Sequence, residues 1–411
     1  MSTYKNKLNS INYYLFIFLF ITVSLIPFNT LDIKIANLPF HYIYIGTVVS
    51  ILVILSLIQY PRLTVFDKWL IFLMLGFLLS LITSIDRLHT VRVLGGFFLK
   101  GVFVAFVAEK ILKYRVKDTN TFLIICASLV SIIGLIELFF EWNPYPRAKG
   151  WPFFIIKSTI GNPLPFAVYL VSLFPLALLY LKEKKSFIRI LPFLLIISGI
   201  FISFSRSSWV ALLIVNFIYY FEKQYPENIF KNLLYTTGFI SVFILLIFLM
   251  PPEIKSYFKY AKANIRFADS ISFKHRKGSY IASAKIIKEY PLFGIGFGNY
   301  PKVYDKYKVE YMRSKANTPD NMYLRFFCEA GIIGAGIFFV FIIHWMHKLW
   351  KSRDNPVVWA IFCGLMGFLI NQLAADLFFW AAPQFAFWML LGWGVGLIGN
   401  TGNNGTGNQN G

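Results

Sequence analysis

Apolar residues in this chain neither alternate with polar ones nor recur only at helical spacing. They arrive in near-continuous blocks of about 17–23, separated by short polar or basic stretches. About 20 apolar residues in a helix cross the roughly 30 Å hydrocarbon core of a bilayer. Backbone polar groups in lipid must be satisfied within their own segment, so each block predicts a helix. The pattern gives about twelve spans, near 11–27, 40–59, 69–85, 91–108, 121–140, 163–181, 188–204, 206–221, 232–250, 327–346, 357–374 and 380–399. The seventh and eighth are almost fused around Ser205-Arg206. The fold class this predicts is all-α integral membrane. One polytopic domain occupies 1–399, and a Gly/Asn-rich tail over 400–411 has nothing with which to build a core and is expected to be disordered.

The basic residues orient the spans. With a cytoplasmic N-terminus, the inner segments carry seventeen Lys and Arg, among them Lys110, Lys113, Arg115, Lys182, Lys185, Lys348 and Lys351. The short outer loops hold few, such as Lys34 and Arg87. Both termini then lie inside, and the one large extramembrane segment, 252–326 between spans nine and ten, lies outside. Lys5 and Lys7 before an apolar run resemble a signal peptide, but no small-x-small cleavage site follows, so a retained first helix is expected.

Composition agrees with the blocks. Of the 411 residues, 57% are hydrophobic and only 14% charged, against about 25% charged in soluble domains, and the mean hydropathy is +0.62. Three cysteines give neither a disulfide framework nor metal-ligand spacing. The net charge of +21 is partly topology signal, yet the outer segment is also basic: fifteen Lys/Arg over 255–325 against six Asp/Glu over 253–325. Two readings stand, attraction to anionic membrane lipids or a funnel for a phosphorylated lipid substrate. Nucleic acid is not an expected partner on that face.

Within the segment, 278–289 predicts a helix with Tyr280, Ala284 and Ile287 on one face, stopped by Tyr290-Pro291. Gly294, Gly296 and Gly298 then alternate with apolar residues. Such a run cradles phosphate in some proteins. No βαβ context surrounds it here, and a tight turn is the simpler expectation.

Three motifs resemble the bacterial O-antigen ligase/polymerase superfamily. They are Ser158-Thr-Ile-Gly-Asn-Pro163, Ser203-Phe-Ser-Arg-Ser-Ser-Trp209, and the run from Arg276 through Pro291-Leu-Phe-Gly-Ile-Gly-Phe-Gly-Asn-Tyr300 to Asp320-Asn-Met-Tyr-Leu324 and Glu329-Ala-Gly-Ile-Ile-Gly334. The resemblance covers roughly 155–336. It implies a GT-C-like membrane glycosyltransferase of the bacterial inner membrane, with an undecaprenyl-diphosphate-linked glycan as donor and lipid A-core or a growing glycan as acceptor. One position departs from the pattern: Asp320 stands where the ligases carry His, which brings a repeat-unit polymerase into contention. A transporter or flippase for a lipid-linked sugar is a further class, but no internal repeat is visible.

A lipid-diphosphate leaving group carries at least two negative charges that need stabilising as the glycosidic bond breaks. Arg suits this through its permanent charge and planar fork. Arg206 and Arg276 are the candidates, and the resemblance implies the same two. Neither Asp-x-Asp, Asp-x-Glu nor His-x-x-x-His occurs, so a metal-independent reaction without cofactor is the economical account. Asp320 is the first choice for the acceptor base, ahead of Glu329, His275 and Asp376. Lys100, Asn162, His275, Asn321 and Tyr323 complete the expected substrate-binding set. Bland alternatives stand beside these: Arg206 as an interfacial anchor, Arg276 within a solvated charge run, Asp320 as a helix N-cap, and Lys100 as a structural partner of Glu137 or another acid. Asn371, Gln372 and Asp376 place polar groups at the end of span eleven, and His344 and His347 read as structural.

Overall fold

The computed structural model describes residues 34–35, 38–140, 156–183, 187–223, 238, 241, 271–309 and 318–404. Expected span 11–27, expected span 232–250 apart from residues 238 and 241, the whole of 252–270 and the end of the tail fall outside the described residues. Described secondary structure is helical apart from a two-residue antiparallel pair, β1 (Lys34–Ile35) with β2 (Leu38–Pro39). The helices are α1 (Phe40–Gln59), α2 (Val65–Leu78), α3 (Arg87–Tyr114), α4 (Val116–Phe140), α5 (Pro163–Glu183), α6 (Phe187–Ile202), α7 (Arg206–Lys223), α8 (Ile271–Glu289), α9 (Tyr300–Tyr307), α10 (Met322–Lys351), α11 (Pro356–Asn371) and α12 (Ala381–Asn404).

Among the described residues, five stretches are long and apolar enough to cross a membrane: α3, α4, α10, Pro163–Leu181 of α5 and Ala381–Gly399 of α12. Val49–Gln59, Arg189–Ile202 and Pro356–Asn371 are apolar but shorter. The chain is therefore an integral membrane protein. The near-fusion expected at Ser205-Arg206 resolves into two helices, α6 and α7, parted by a turn. Phe204 takes φ +53° there, and the Ser203 hydroxyl accepts the Ser205 N–H at 3.2 Å.

Capping explains several boundaries. Thr64 and Asp67 form a reciprocal capping box that starts α2 four residues before the expected apolar block. Asp67 also takes Lys110 of α3 at 2.7 Å, and Lys110 meets Glu109 at 2.8 Å, so α2 and α3 are joined by buried charge at one end. Halfway along α3 the helix widens into a π turn at Phe98–Val102. Gln384 of α12 donates to the Phe97 carbonyl there at 3.2 Å, supporting backbone that the irregular turn leaves less well bonded.

At the opposite end, below the loop, Phe77, Phe97, Phe297, Phe326, Phe338 and Phe378 form a continuous aromatic layer. Its ring centroids include Phe326–Phe338 at 4.4 Å and Phe77–Phe297 at 4.9 Å. Edge-to-face and stacked pairs at such distances contribute about 0.5–1.5 kcal/mol each beyond area burial. Phe297 belongs to the loop, so this layer seats the loop on the helix bundle.

Candidate functional site

The C-terminus of α11 is where the motif-bearing segments converge. Ser208 of α7, two residues after Arg206, donates its hydroxyl to Asn371 Oδ1 at 2.9 Å. The next carbonyl, from Gln372, accepts the N–H of Met322 at 3.1 Å. The one after that, Leu373, accepts Asn321 Nδ2 at 3.1 Å and the Tyr280 hydroxyl of α8 at 3.4 Å. Three consecutive residues thus tie together the helix that begins with Arg206, the helix that carries Arg276 and the start of α10 beside Asp320. Arg206 itself is exposed at the first position of α7, and Arg276 is half-buried on α8.

The helix expected over 278–289 begins seven residues earlier, at Ile271. The stretch 271–277 contains neither Gly nor Pro, so the helix extends through it. His275 and Arg276 are therefore neighbours on one helix. The buried face is a different one from the stripe of Tyr280, Ala284 and Ile287. Ser279, Ala282, Ser283 and Ile286 are buried, whereas Ala284 is exposed. Small side chains on that face admit Tyr300, whose hydroxyl donates to the Ser279 carbonyl at 3.2 Å and lies 3.3 Å from Ser283 Oγ. Burial pushes the Tyr300 phenol above its ordinary pKa, so it stays a neutral donor.

Asp320 is not the N-cap of α10. Asn321 is, with its Oδ1 accepting the Leu324 N–H at 3.1 Å. Asp320 precedes it with φ +53°, a left-handed conformation that Asp tolerates better than most residues. Its carboxylate lies 3.5 Å from His275 Nδ1, and both side chains are partly open to solvent. Asn321 and Tyr323, expected to bind substrate, have positioning work in the structure. The Tyr323 hydroxyl donates to the Leu369 carbonyl at 2.9 Å, so both residues fasten α10 to α11.

The glycine run is a turn docked into a broken helix. Gly294, Gly296 and Gly298 all have positive φ, between 71° and 85°. α10 is interrupted at Gly331, with φ 66° and ψ −175°. Into this break the loop donates Ile295 N–H to Cys328 O at 2.9 Å and Gly296 N–H to Glu329 O at 3.0 Å, and accepts Ile332 N–H on Pro291 O at 2.8 Å. Amides of the run do face an anion, and it belongs to the protein: the Glu329 carboxylate receives the Tyr300 N–H at 3.4 Å and the Gly298 N–H. On its other side the loop is held by Thr83 Oγ1 on Gly294 O at 2.6 Å, Thr90 Oγ1 on Phe297 O at 3.1 Å and Asn299 Nδ2 on Thr90 Oγ1 at 2.9 Å.

Sequence reasoning missed Arg325 and counted it only as loop charge. Its Nε lies 3.0 Å from Glu329, its Nη1 bonds Asp376, and its guanidinium lies 3.7 Å from the centroid of the Phe379 ring. Both carboxylate side chains have no exposed surface. Glu329 and Asp376, weighed as acceptor bases, are closed off by this cluster. The legible signal was the i,i+4 spacing of Arg325 and Glu329.

The remaining candidates lie on other elements. Asn162 begins α5, its Oδ1 accepting the Leu164 N–H at 3.0 Å. Lys100 is buried within the π turn of α3. Glu137, weighed as its partner, accepts the N–H groups of Lys157 and Ser158 at 2.9 Å each. His344 stacks on Trp69 with centroids 5.2 Å apart, consistent with a packing role.

Residues 191–339 match the family model described as O-antigen ligase. The matched stretch contains Arg206, Arg276, Asp320 and the glycine turn, and so covers two of the three motifs that carry the resemblance. Among curated proteins none matches the chain.

Proposed function

We propose that this membrane protein of the O-antigen ligase superfamily is a metal-independent glycosyltransferase. It moves a glycan from undecaprenyl diphosphate to an acceptor hydroxyl of lipid A-core, on the outer face of the bacterial inner membrane. The observation that carries the reading is the convergence at Asn371–Leu373, which ties the segments bearing Arg206, Arg276 and Asp320 to one helix end. The O-antigen ligase match over 191–339 supports the same assignment.

In this reading Arg206 and Arg276 take the donor diphosphate. Charge grows on the leaving oxygen as the glycosidic bond breaks, and fixed guanidinium groups stabilise it without reorganising. The glycine turn does not share this work, because its amides are bonded to α10 and Glu329. Asp320 takes the acceptor side. A second reading, polymerisation of repeat units on the same lipid carrier, is favoured by Asp320 standing at the position where ligases carry His.

The test uses purified full-length protein in detergent with a glycan on polyprenyl diphosphate and either lipid A-core or a second lipid-linked glycan. Glycan on lipid A-core supports the ligase, and polymer on the carrier supports the polymerase. Transbilayer movement of the donor with no transfer to either acceptor would overturn the transferase reading.

A further inference from the structure

From the His275–Asp320 juxtaposition we infer that the acceptor hydroxyl is deprotonated by the imidazole of His275, with Asp320 as its positioning residue. This rests on the transferase reading above. The pair spans two elements, α8 and the residue before the cap of α10, with Nδ1 3.5 Å from the carboxylate. That is an ion-pair separation, and such contacts tighten when substrate binds. A carboxylate at Nδ1 fixes which tautomer the ring adopts and leaves Nε2 with a free lone pair to take a proton.

Three observations favour the imidazole over the bare carboxylate. First, Asp320 is free for this role, since Asn321 performs the capping. Second, the competing acids Glu329 and Asp376 are closed off by Arg325. Third, His275 adjoins Arg276 on one continuous helix, so a single rigid element carries both the imidazole and a candidate diphosphate ligand. The titratable groups near the pair are Lys274, Arg276 and Lys277 on α8, together with Tyr300 of α9 and Asp376 in the α11–α12 connection, both of which Asp320 reaches electrostatically. The position that the resemblance would fill with a histidine on α10 is thus served by a histidine from the neighbouring helix.

The step balances without a further reactant. The acceptor oxygen bonds to the anomeric carbon as its proton passes to His275 Nε2. The bond from that carbon to the diphosphate oxygen breaks, and its electron pair leaves with the lipid diphosphate. The imidazolium, held by Asp320, then returns the proton to water.

The assay is the transfer reaction described above, read as kcat and as the pH profile of kcat/KM, with binding of the polyprenyl-diphosphate donor measured separately. His275→Gln is expected to lower kcat by about 10²–10⁴-fold, the usual contribution of a positioned base, while donor binding is retained. The pH profile of kcat/KM is expected to lose its acid limb in His275→Gln and to move in Asp320→Asn. Greater activity in the exchanged variant His275→Asp/Asp320→His than in His275→Asp alone would support the pair. His275→Gln with kcat within about threefold of wild type, or with the acid limb unmoved, overturns the inference and leaves the transferase reading standing. Absence of transfer by the wild type removes both together.

Discussion

Leu292 lies against Gly331 so closely that its carbonyl occupies the space where a Cβ on that glycine would sit. Two demands meet at Gly331: a φ of 66°, and room for the backbone of the docked loop. With ψ −175° this is a backbone conformation open essentially to glycine alone, and it costs another residue roughly 1–3 kcal/mol before any collision is counted. Gly331→Ala is therefore expected to lower the thermal midpoint in detergent and to speed proteolysis between residues 291 and 300. Gly336→Ala serves as the control, because a Cβ there meets nothing within 4 Å. Equal behaviour of the two variants would contradict the docking account.

Arg206→Ala and Arg276→Ala are each expected to abolish glycan transfer with unchanged expression and thermal midpoint. Lys at either position restores only part of the activity, since an ammonium keeps the charge but loses the bidentate fork. Full activity in both Ala variants would show that the diphosphate is bound elsewhere.

The apolar helices and the motifs of the resemblance were legible because both are local properties of sequence: apolar length, and short motifs in fixed order. What escaped was three-dimensional pairing. Asp376 lies 51 residues from Arg325, and no periodicity connects them. The buried face of α8 was not legible, because Tyr280, Ala284 and Ile287 form one stripe of a helix that also carries Ala282 and Ile286 on another. Hydropathy alone does not choose between two stripes, whereas the Tyr300 hydroxyl, bonded at Ser279, does. Asp320 was legible as a candidate, but its freedom from capping depended on the backbone turn that passes the role to Asn321.

Arg325→Leu is expected to destabilise the protein by roughly 3–5 kcal/mol, because it leaves two buried carboxylates without their cation. A triple variant, Arg325→Leu with Glu329→Gln and Asp376→Asn, should recover part of that loss. Chemical denaturation in detergent, or the thermal midpoint, measures the difference. No recovery in the triple variant would mean that the guanidinium acts through packing against Phe379 rather than through charge.

At the loop surface Lys302 contacts Asp86 at 2.5 Å. The hydrogen bond from Lys302, followed by that from the His89 N–H, holds the Asp86 carboxyl below its ordinary 3.8. A carboxylate with a lowered pKa contributes its stability fully above the ordinary value and loses it as pH falls through the lowered one. Hydrogen exchange over Tyr300–Tyr307, corrected for intrinsic rates, should be constant from neutral pH to about pH 5 and rise only below the ordinary carboxylate pKa. Asp86→Asn should raise exchange at neutral pH and flatten that acid response. The effect should shrink in high salt, as for any exposed pair.

The turn at Pro291–Asn299 is fastened on two sides, to Thr83, Ile85 and Thr90 on one and to the gap in α10 on the other. Swinging it outward would break hydrogen bonds on both sides and pull Phe297 from its aromatic layer. That stretch acts as a fixed wall and does not serve as a hinged cover. On the proposed transferase reading this turn contributes no opening movement, so a crosslink that pins it to α10 should leave turnover unaltered.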